Sequence, residues 1–280
     1  MPIGLALISS VLWGSADFQG GRLAKKHSAF AVTGLSQVIG LVCGLVVVAL
    51  SHSWKIPNLE MNGYFISGIC AGIAGYLGLS CLYAGLATGR MGVVSPISSL
   101  SAIIPATYAI IQGEKLLLIQ GIGIIIALAG AFFASGPEIS QGFSLKPLAL
   151  AVGAALGFGI SLTFMAKGSV TSALMTMVMM RVATLCISLS LALRMRTIGG
   201  FQISDLPSLA LVGVADFSAN LLIGVASTRG LVSVVMVIGS LFPIMTALLA
   251  FKILHERLHK IQYVGIALAV TGIALISSSQ

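Results

Sequence analysis

Charged side chains are scarce in this sequence. Asp, Glu, Lys and Arg make up 8% of its 280 residues, against about one-quarter in an ordinary soluble domain. A chain so poor in charge cannot cover itself with polar groups, which excludes a water-soluble globule. Basic residues outnumber acidic ones, 15 to 7, yet they gather on no single face, so a nucleic-acid footprint is excluded as well. Cysteine is sparse too. Cys43, Cys70, Cys81 and Cys186 lie in apolar runs without a close pair at metal-site spacing and read as small core residues. The opening MPIGLALISS has no basic stretch before its apolar run, so the first span is expected to stay in place. No run alternates polar with apolar residues, which excludes a transmembrane barrel.

What the chain has is apolar length. Hydrophobic residues make up 58%, and the mean hydropathy is +1.09. One span takes about 20 mostly apolar residues. Polar breaks at 22–27, 51–60, 87–90, 113–115, 135–146, 166–168, 194–205, 227–230 and 255–260 leave ten candidate helices, starting near 3, 29, 62, 91, 116, 147, 170, 206, 231 and 260. The expected fold is an all-α integral membrane protein with ten transmembrane helices, in which membrane lipid is the solvent and charge is confined to loops.

The chain repeats itself. IQGEKLLLIQGIGIIIALAG (111–130) aligns with ILHERLHKIQYVGIALAVTG (253–272) at an offset of 142, pairing Glu114 with Glu256, Gln120 with Gln262, Gly123 with Gly265 and Gly130 with Gly272. Upstream, ALISSVLWG (6–14) fits ALAVGAALG (149–157), and SQVIGLVC (36–43) fits MRVATLCI (180–187), which sets Gln37 opposite Arg181. Residues 1–140 and 141–280 thus read as two five-helix repeats. An odd number of spans inserts the second copy upside down, and inverted repeats are how many secondary transporters build two alternating states around one central site.

The segment HERLH, His255 to His259, matches the zinc-protease pattern H-E-x-x-H. Its counterpart in the first half is GEKLL, without either histidine, and no Asp, Glu, Cys or His follows His259 as a third ligand. We read it as a charged turn between helices. Neither a metal nor another cofactor is expected. A membrane enzyme is disfavoured further by the lack of a G-x-S-x-G elbow and by too few acids for a paired-metal site.

Other motifs point elsewhere. Trp13-Gly14-Ser15 lies in the first helix, and Gly113-Glu114-Lys115-Leu116 follows the fourth. Ser240-Leu241-Phe242-Pro243 stands in the second half, with Glu256-Arg257-Leu258 thirteen residues beyond that proline. The proline position thirteen residues before Glu114 holds Ser101, and Pro105 comes one turn later. With these motifs the whole chain resembles the EamA-type ten-helix members of the drug/metabolite transporter superfamily. The resemblance implies a multi-pass transporter of the inner (cytoplasmic) membrane with both termini inside. A count of Lys and Arg, ten on the odd-numbered loops against four on the even, puts both termini outside.

Three ionisable residues fall within spans: Asp17, Arg181 and Asp216. Such a side chain costs about 2.5–3.5 kcal/mol near a helix centre, so each needs a partner, a wet cavity or neutralisation. Arg181 and Asp216 read either as a fixed ion pair or as an anion-holding arginine beside a proton-cycling acid. Asp17 reads either as an interfacial acid near Arg22 or as a second proton carrier. Trp13 with Asp17, and Asp216 with Asn220, are four apart and share helix faces. Ser95, Ser98, Ser99 and Gln112 lie on a helix that also carries Pro96 and Pro105, and its repeat partner carries Pro243. Proline-interrupted segments at matching places in inverted halves point to a transport site. Tyr76 and Tyr83 either line that site or pack, and MTMVMM (175–180) reads as adaptable packing.

The expected function is therefore secondary transport, proton-linked export of small metabolites such as amino acids or drugs. The candidate substrate site is Trp13, Asp17, Gln37, Tyr76, Ser98, Arg181, Asp216 and Asn220, with Asp17 and Asp216 as proton carriers and Pro96, Pro105 and Pro243 as kinks. The alternative reading is a flippase or accessory subunit for a lipid-linked substrate, recognisable by a laterally open groove.

Overall fold

Long apolar runs in lipid have one economical solution, the helix, because every backbone N–H and C=O must find a partner inside the segment. The computed structural model describes residues 1–57, 59–88, 91–135, 145–253 and 259–278. Its helices are α1 (Pro2–Ala24), α2 (Ala29–Ser51), α3 (Tyr64–Ala87), α4 (Met91–Ser99), α5 (Ile103–Ile111), α6 (Leu118–Ala134), α7 (Leu145–Met195), α8 (Leu206–Ser227), α9 (Val232–Gly239), α10 (Phe242–Ile253) and α11 (Lys260–Ser277). No strand occurs among the described residues. Seven stretches there are long and apolar enough to cross a membrane: α2, α3, 94–111, α7, 203–227, 232–253 and α11, with α6 a shorter apolar helix.

Three of these elements are interrupted, each for a local reason. α7 runs 51 residues, about 76 Å at 1.5 Å per residue, more than twice a hydrocarbon core of about 30 Å. It breaks at Ser172, whose backbone is extended (φ −168°, ψ 110°) and whose Oγ accepts the Met175 N–H at 3.3 Å. That is an N-cap for a second limb. The break expected at 166–168 falls four residues later, at this serine: Lys167 stays in the helix and sets its ammonium 4.7 Å from the Tyr108 ring centre, a cation–π contact.

The other two breaks belong to proline. Pro105 has no N–H for the Ser101 carbonyl four residues back, and a 3₁₀ turn at Leu100–Ala102 separates α4 from α5. Pro243 likewise has none for Gly239, where α9 ends before α10 begins at Phe242. Pro96 lies inside α4, and its carbonyl accepts Ser99 Oγ at 2.7 Å.

α6 and α11 begin alike. Gln120 Oε1 accepts the Leu117 N–H at 3.0 Å, and Gln262 Oε1 accepts the His259 N–H at 2.8 Å. The two helices then pack antiparallel through glycine. A Cβ on Gly123 would stand 3.0 Å from Gly272 O, and one on Gly272 would stand 2.7 Å from Gly123 O. A Cβ on Gly130 would stand 2.8 Å from Gly265 O, and one on Gly265 would collide with the backbone of Ala134. Since Gly123 aligns with Gly265 and Gly130 with Gly272, the two contacts are one contact written twice. Lipid supplies no hydrophobic drive between helices, so this close backbone approach is what holds them.

The Gly113-Glu114 motif explains itself in the same way. Gly113 has φ +98°, and the Glu114 and Gly113 N–H groups return to Ala109 O and Ile110 O, each at 3.0 Å. This is a Schellman ending for α5, which needs glycine at that position. It turns Glu114 across to the other half, where Oε2 accepts the Ser233 N–H of α9 at 3.0 Å. Glu256, its repeat counterpart, lies outside the described residues, as do His255, Arg257 and Leu258. His259, the last residue of HERLH, precedes α11.

Candidate functional site

The buried charges meet between α2, α7 and α8. Arg181 stands on the second limb of α7 and Asp216 on α8. Arg181 Nη2 donates to Asp216 Oδ2 at 2.8 Å, with the arginine side chain 3% exposed. Gln37 Nε2 from α2 donates to the same oxygen at 2.9 Å. Asn220 Nδ2, one turn along α8, donates to Oδ1 at 3.0 Å and to the Asp216 carbonyl at 2.7 Å. Three side chains thus converge on one carboxylate, as a buried ion pair requires if it is to be tolerated. The guanidinium passes Gly40, where a Cβ would stand 3.0 Å from Arg181 Nε, and lies 6.0 Å from the Phe217 ring centre. Arg181 Nε itself is buried without a hydrogen bond.

Beside this cluster is a partly open cavity. Its polar lining comes from Asp17 on α1, Gln37, Tyr76 on α3, Arg181, Asp216 and Asn220, and Trp13, Phe158 and Phe242 supply aromatic walls. Trp13 reaches the break between α9 and α10, where a Cβ on Gly239 would stand 3.2 Å from its ring. Of the residues singled out in the sequence, Trp13, Asp17, Gln37, Tyr76, Arg181, Asp216 and Asn220 are brought together here.

Asp17 is buried and is not paired with Arg22. It is 7% exposed and opens on the cavity. Arg22 points elsewhere, its Nη1 bonding Gln19 Oε1 at 3.4 Å and its guanidinium lying over Phe18. The Asp17 carboxylate has no hydrogen-bond or salt-bridge partner among the described residues. With every group ionised, the cavity therefore holds two acids against one base, and the uncompensated charge is that of Asp17.

Ser98 does not belong to the site. Its hydroxyl donates to Val94 O at 2.8 Å within its own helix, and Ser99 likewise turns back to Pro96 O, while Gln112 is exposed. A serine in a dry helix satisfies its hydroxyl on the preceding turn when nothing better is near. The cavity instead receives Ser101 from the 3₁₀ turn, Ser240 from the matching break, and Ser161 and Thr184 from α7. Ser101 was legible as the residue standing at the repeat position of Pro243; Ser161 and Thr184 carried no signal. Tyr83 is buried against Gly20 and does not line the cavity, whereas Met180 does. Cys186, expected in the core, is exposed on the flank of α7.

A multi-pass helical membrane protein with a polar cavity drawn from both halves of its chain has the architecture of a membrane transporter. The EamA-like transporter family matches residues 1–136 and again 145–278, and the chain belongs to that family. Its members are transporters of the drug/metabolite type, not enzymes. No curated protein matches the chain. A crystal structure 16% identical in sequence has a TM-score of 0.75 over 99% of this chain and 96% of that chain, a likeness of fold alone.

Proposed function

We propose that the protein is a proton-linked secondary transporter that exports small amine-bearing metabolites, such as amino acids or basic drugs, across the inner membrane. In this reading the elements make ten crossings. α4 with α5 forms one, α9 with α10 another, and the two limbs of α7 two more. Residues 1–140 and 141–280 are then inverted repeats. The reciprocal glycine contacts of α6 and α11 support that inversion.

The observation that carries the mechanism is the contrast between the two acids. Asp216 is engaged by Arg181, Gln37 and Asn220, which leaves it a poor proton carrier and leaves Arg181 little capacity for a substrate anion. Asp17 faces the same cavity unpartnered. One carboxylate that binds either a proton or an ammonium group, never both, exchanges one for the other across the membrane. The aromatic walls at Trp13, Phe158 and Phe242 suit the apolar body of such a substrate and favour the cation as well.

The test is transport in proteoliposomes with a panel of radiolabelled amino acids and aromatic amines under an imposed pH gradient. Wild-type protein should concentrate at least one amine and release a proton as it binds. Asp17→Asn should do neither while remaining folded. Accumulation by Asp17→Asn under the same gradient would overturn the role of Asp17, and a wild type that moves no member of the panel would overturn the substrate class.

A further inference from the structure

A second cavity lies on the outer flank between α2 and the second limb of α7. It begins at the helix ends, at Ser28 and Thr197, and runs inward to Val38 and Leu185. Ten residues of helix separate Ser28 from Val38, about 15 Å. That is half of a hydrocarbon core of about 30 Å, so the groove is one leaflet deep. Its walls are aliphatic, chiefly Leu35, Val38, Leu185 and Leu189. It opens sideways toward lipid, since Leu189 is 56% exposed.

On its wall stands Tyr76, which borders both this groove and the central cavity. The partition is thin. Tyr76 OH donates to Phe30 O at 3.3 Å, a long bond. Gly34 contributes no side chain, so a Cβ there would already be 3.0 Å from Ser188 Oγ and 3.9 Å from Tyr76 OH. Polar groups thus sit in the half of the groove nearer the helix ends, Ser28 and Thr197 at the mouth and Ser188 with Tyr76 on the wall about two turns further in, while the part toward Val38 and Leu185 is aliphatic.

We propose that this groove is a lateral portal. The apolar tail of an amphipathic amine lies in it, within one leaflet, and the amine head passes Tyr76 to reach Asp17. This deepens the transport reading above and rests on it. A single-tailed amine fits the groove better than a whole phospholipid does, because one phenol separates the groove wall from a cavity that carries an unpaired acid, which suits a cationic head and not a phosphate.

The full-length protein in phosphatidylcholine liposomes is photolabelled with dodecylamine carrying a diazirine in mid-tail, and separately with phosphatidylcholine carrying the same diazirine. The amine should label residues 30–38 and 185–195, and unlabelled dodecylamine should compete the label away. Leu189→Trp, at a lipid-exposed position that does not burden folding, should reduce the label severalfold. In transport, Leu189→Trp should weaken the apparent affinity for dodecylamine severalfold, with butylamine unaffected. Equal, uncompeted labelling by amine and phospholipid would make the groove a slot for bulk lipid and overturn the portal. So would a Leu189→Trp protein that slows butylamine and dodecylamine alike. Competed labelling with no transport of any amine would overturn the transport reading instead and leave the groove as the tail's binding site.

Discussion

Arg181 and Asp216 face each other at 2.8 Å across the packing of α7 on α8, and Gln37 bridges to the same carboxylate oxygen from α2. The pair ties three helices at the edge of the cavity in a place where water cannot easily replace either partner. Removing one member leaves the other charged and buried, which typically costs about 3–5 kcal/mol. Asp216→Leu and Arg181→Met alone should each lower the unfolding temperature of the detergent-purified protein sharply. The double replacement should recover most of that loss, because two apolar side chains leave no charge to neutralise. Recovery of stability without transport would separate the scaffold role of the pair from the chemistry beside it.

Glu114 gives a milder prediction. Its carboxylate caps α9 from the opposite half of the chain, so Glu114→Ala should cost about 1 kcal/mol, the usual loss for a helix cap. Glu114→Gln keeps an accepting oxygen and should lose less. Gly113→Ala, at φ +98°, strains the backbone that aims Glu114 and should cost about 1 kcal/mol as well. The two losses should fall short of additive in the double mutant, since the second residue acts only through the turn made by the first.

Helix positions were legible because apolar length has few meanings in a membrane. The cavity was legible in part, because buried acids and their i, i+4 neighbours can be read from spacing. Side-chain direction was not. Asp17 and Arg22 look like partners along the sequence, but five residues turn a helix through about 500°, which leaves them on different faces. Ser98 and Ser101 would share a face of an unbroken helix. The helix is interrupted between them by the 3₁₀ turn at Leu100–Ala102, and only Ser101 reaches the cavity, a difference that their spacing does not carry. The extended conformation of Ser172 had no marker beyond a serine in a helical run.

The glycine seam predicts an asymmetric response to added methyl groups. Gly265→Ala drives a Cβ into the Ala134 backbone, and overpacking of this kind costs about 1–3 kcal/mol. Gly121→Ala, on the partner helix α6 and with nothing within 4 Å, should leave stability unchanged or raise it slightly. Thermal unfolding of the two variants side by side checks whether backbone approach, rather than helix propensity, governs this pair.

His27 supplies a pH prediction at the membrane surface. Its Nδ1 meets Gly199 O and its Nε2 meets Asp205 Oδ2, both at 3.1 Å, with the ring stacked on Phe201 at 4.1 Å. Asp205 also accepts the Gln202 N–H at 3.0 Å, and Lys26 lies close enough to act on it electrostatically. A carbonyl and a carboxylate can only accept, so both contacts are satisfied at once only by the doubly protonated ring. The clasp should therefore weaken at acid pH, where a protonated Asp205 no longer serves both His27 and the Gln202 N–H as a carboxylate acceptor. Amide hydrogen exchange across residues 197–205, corrected for its intrinsic pH dependence, should speed up as Asp205 is protonated. In His27→Ala exchange there should be fast already above that transition.

The seam between α6 and α11 is its own image. Two separate copies of one half, inserted in opposite senses, would form the same contacts between Gly123 and Gly272 and between Gly130 and Gly265, so the single chain is in effect a covalent, self-complementary pair. A joint with that property has no handedness of its own: tilting the halves one way strains it as much as tilting them the other. On the inverted-repeat transport reading proposed above, whatever sets the resting balance between two such tilts must lie where the copies differ. The clearest such place is the cavity, where Arg181 stands opposite an uncharged Gln37.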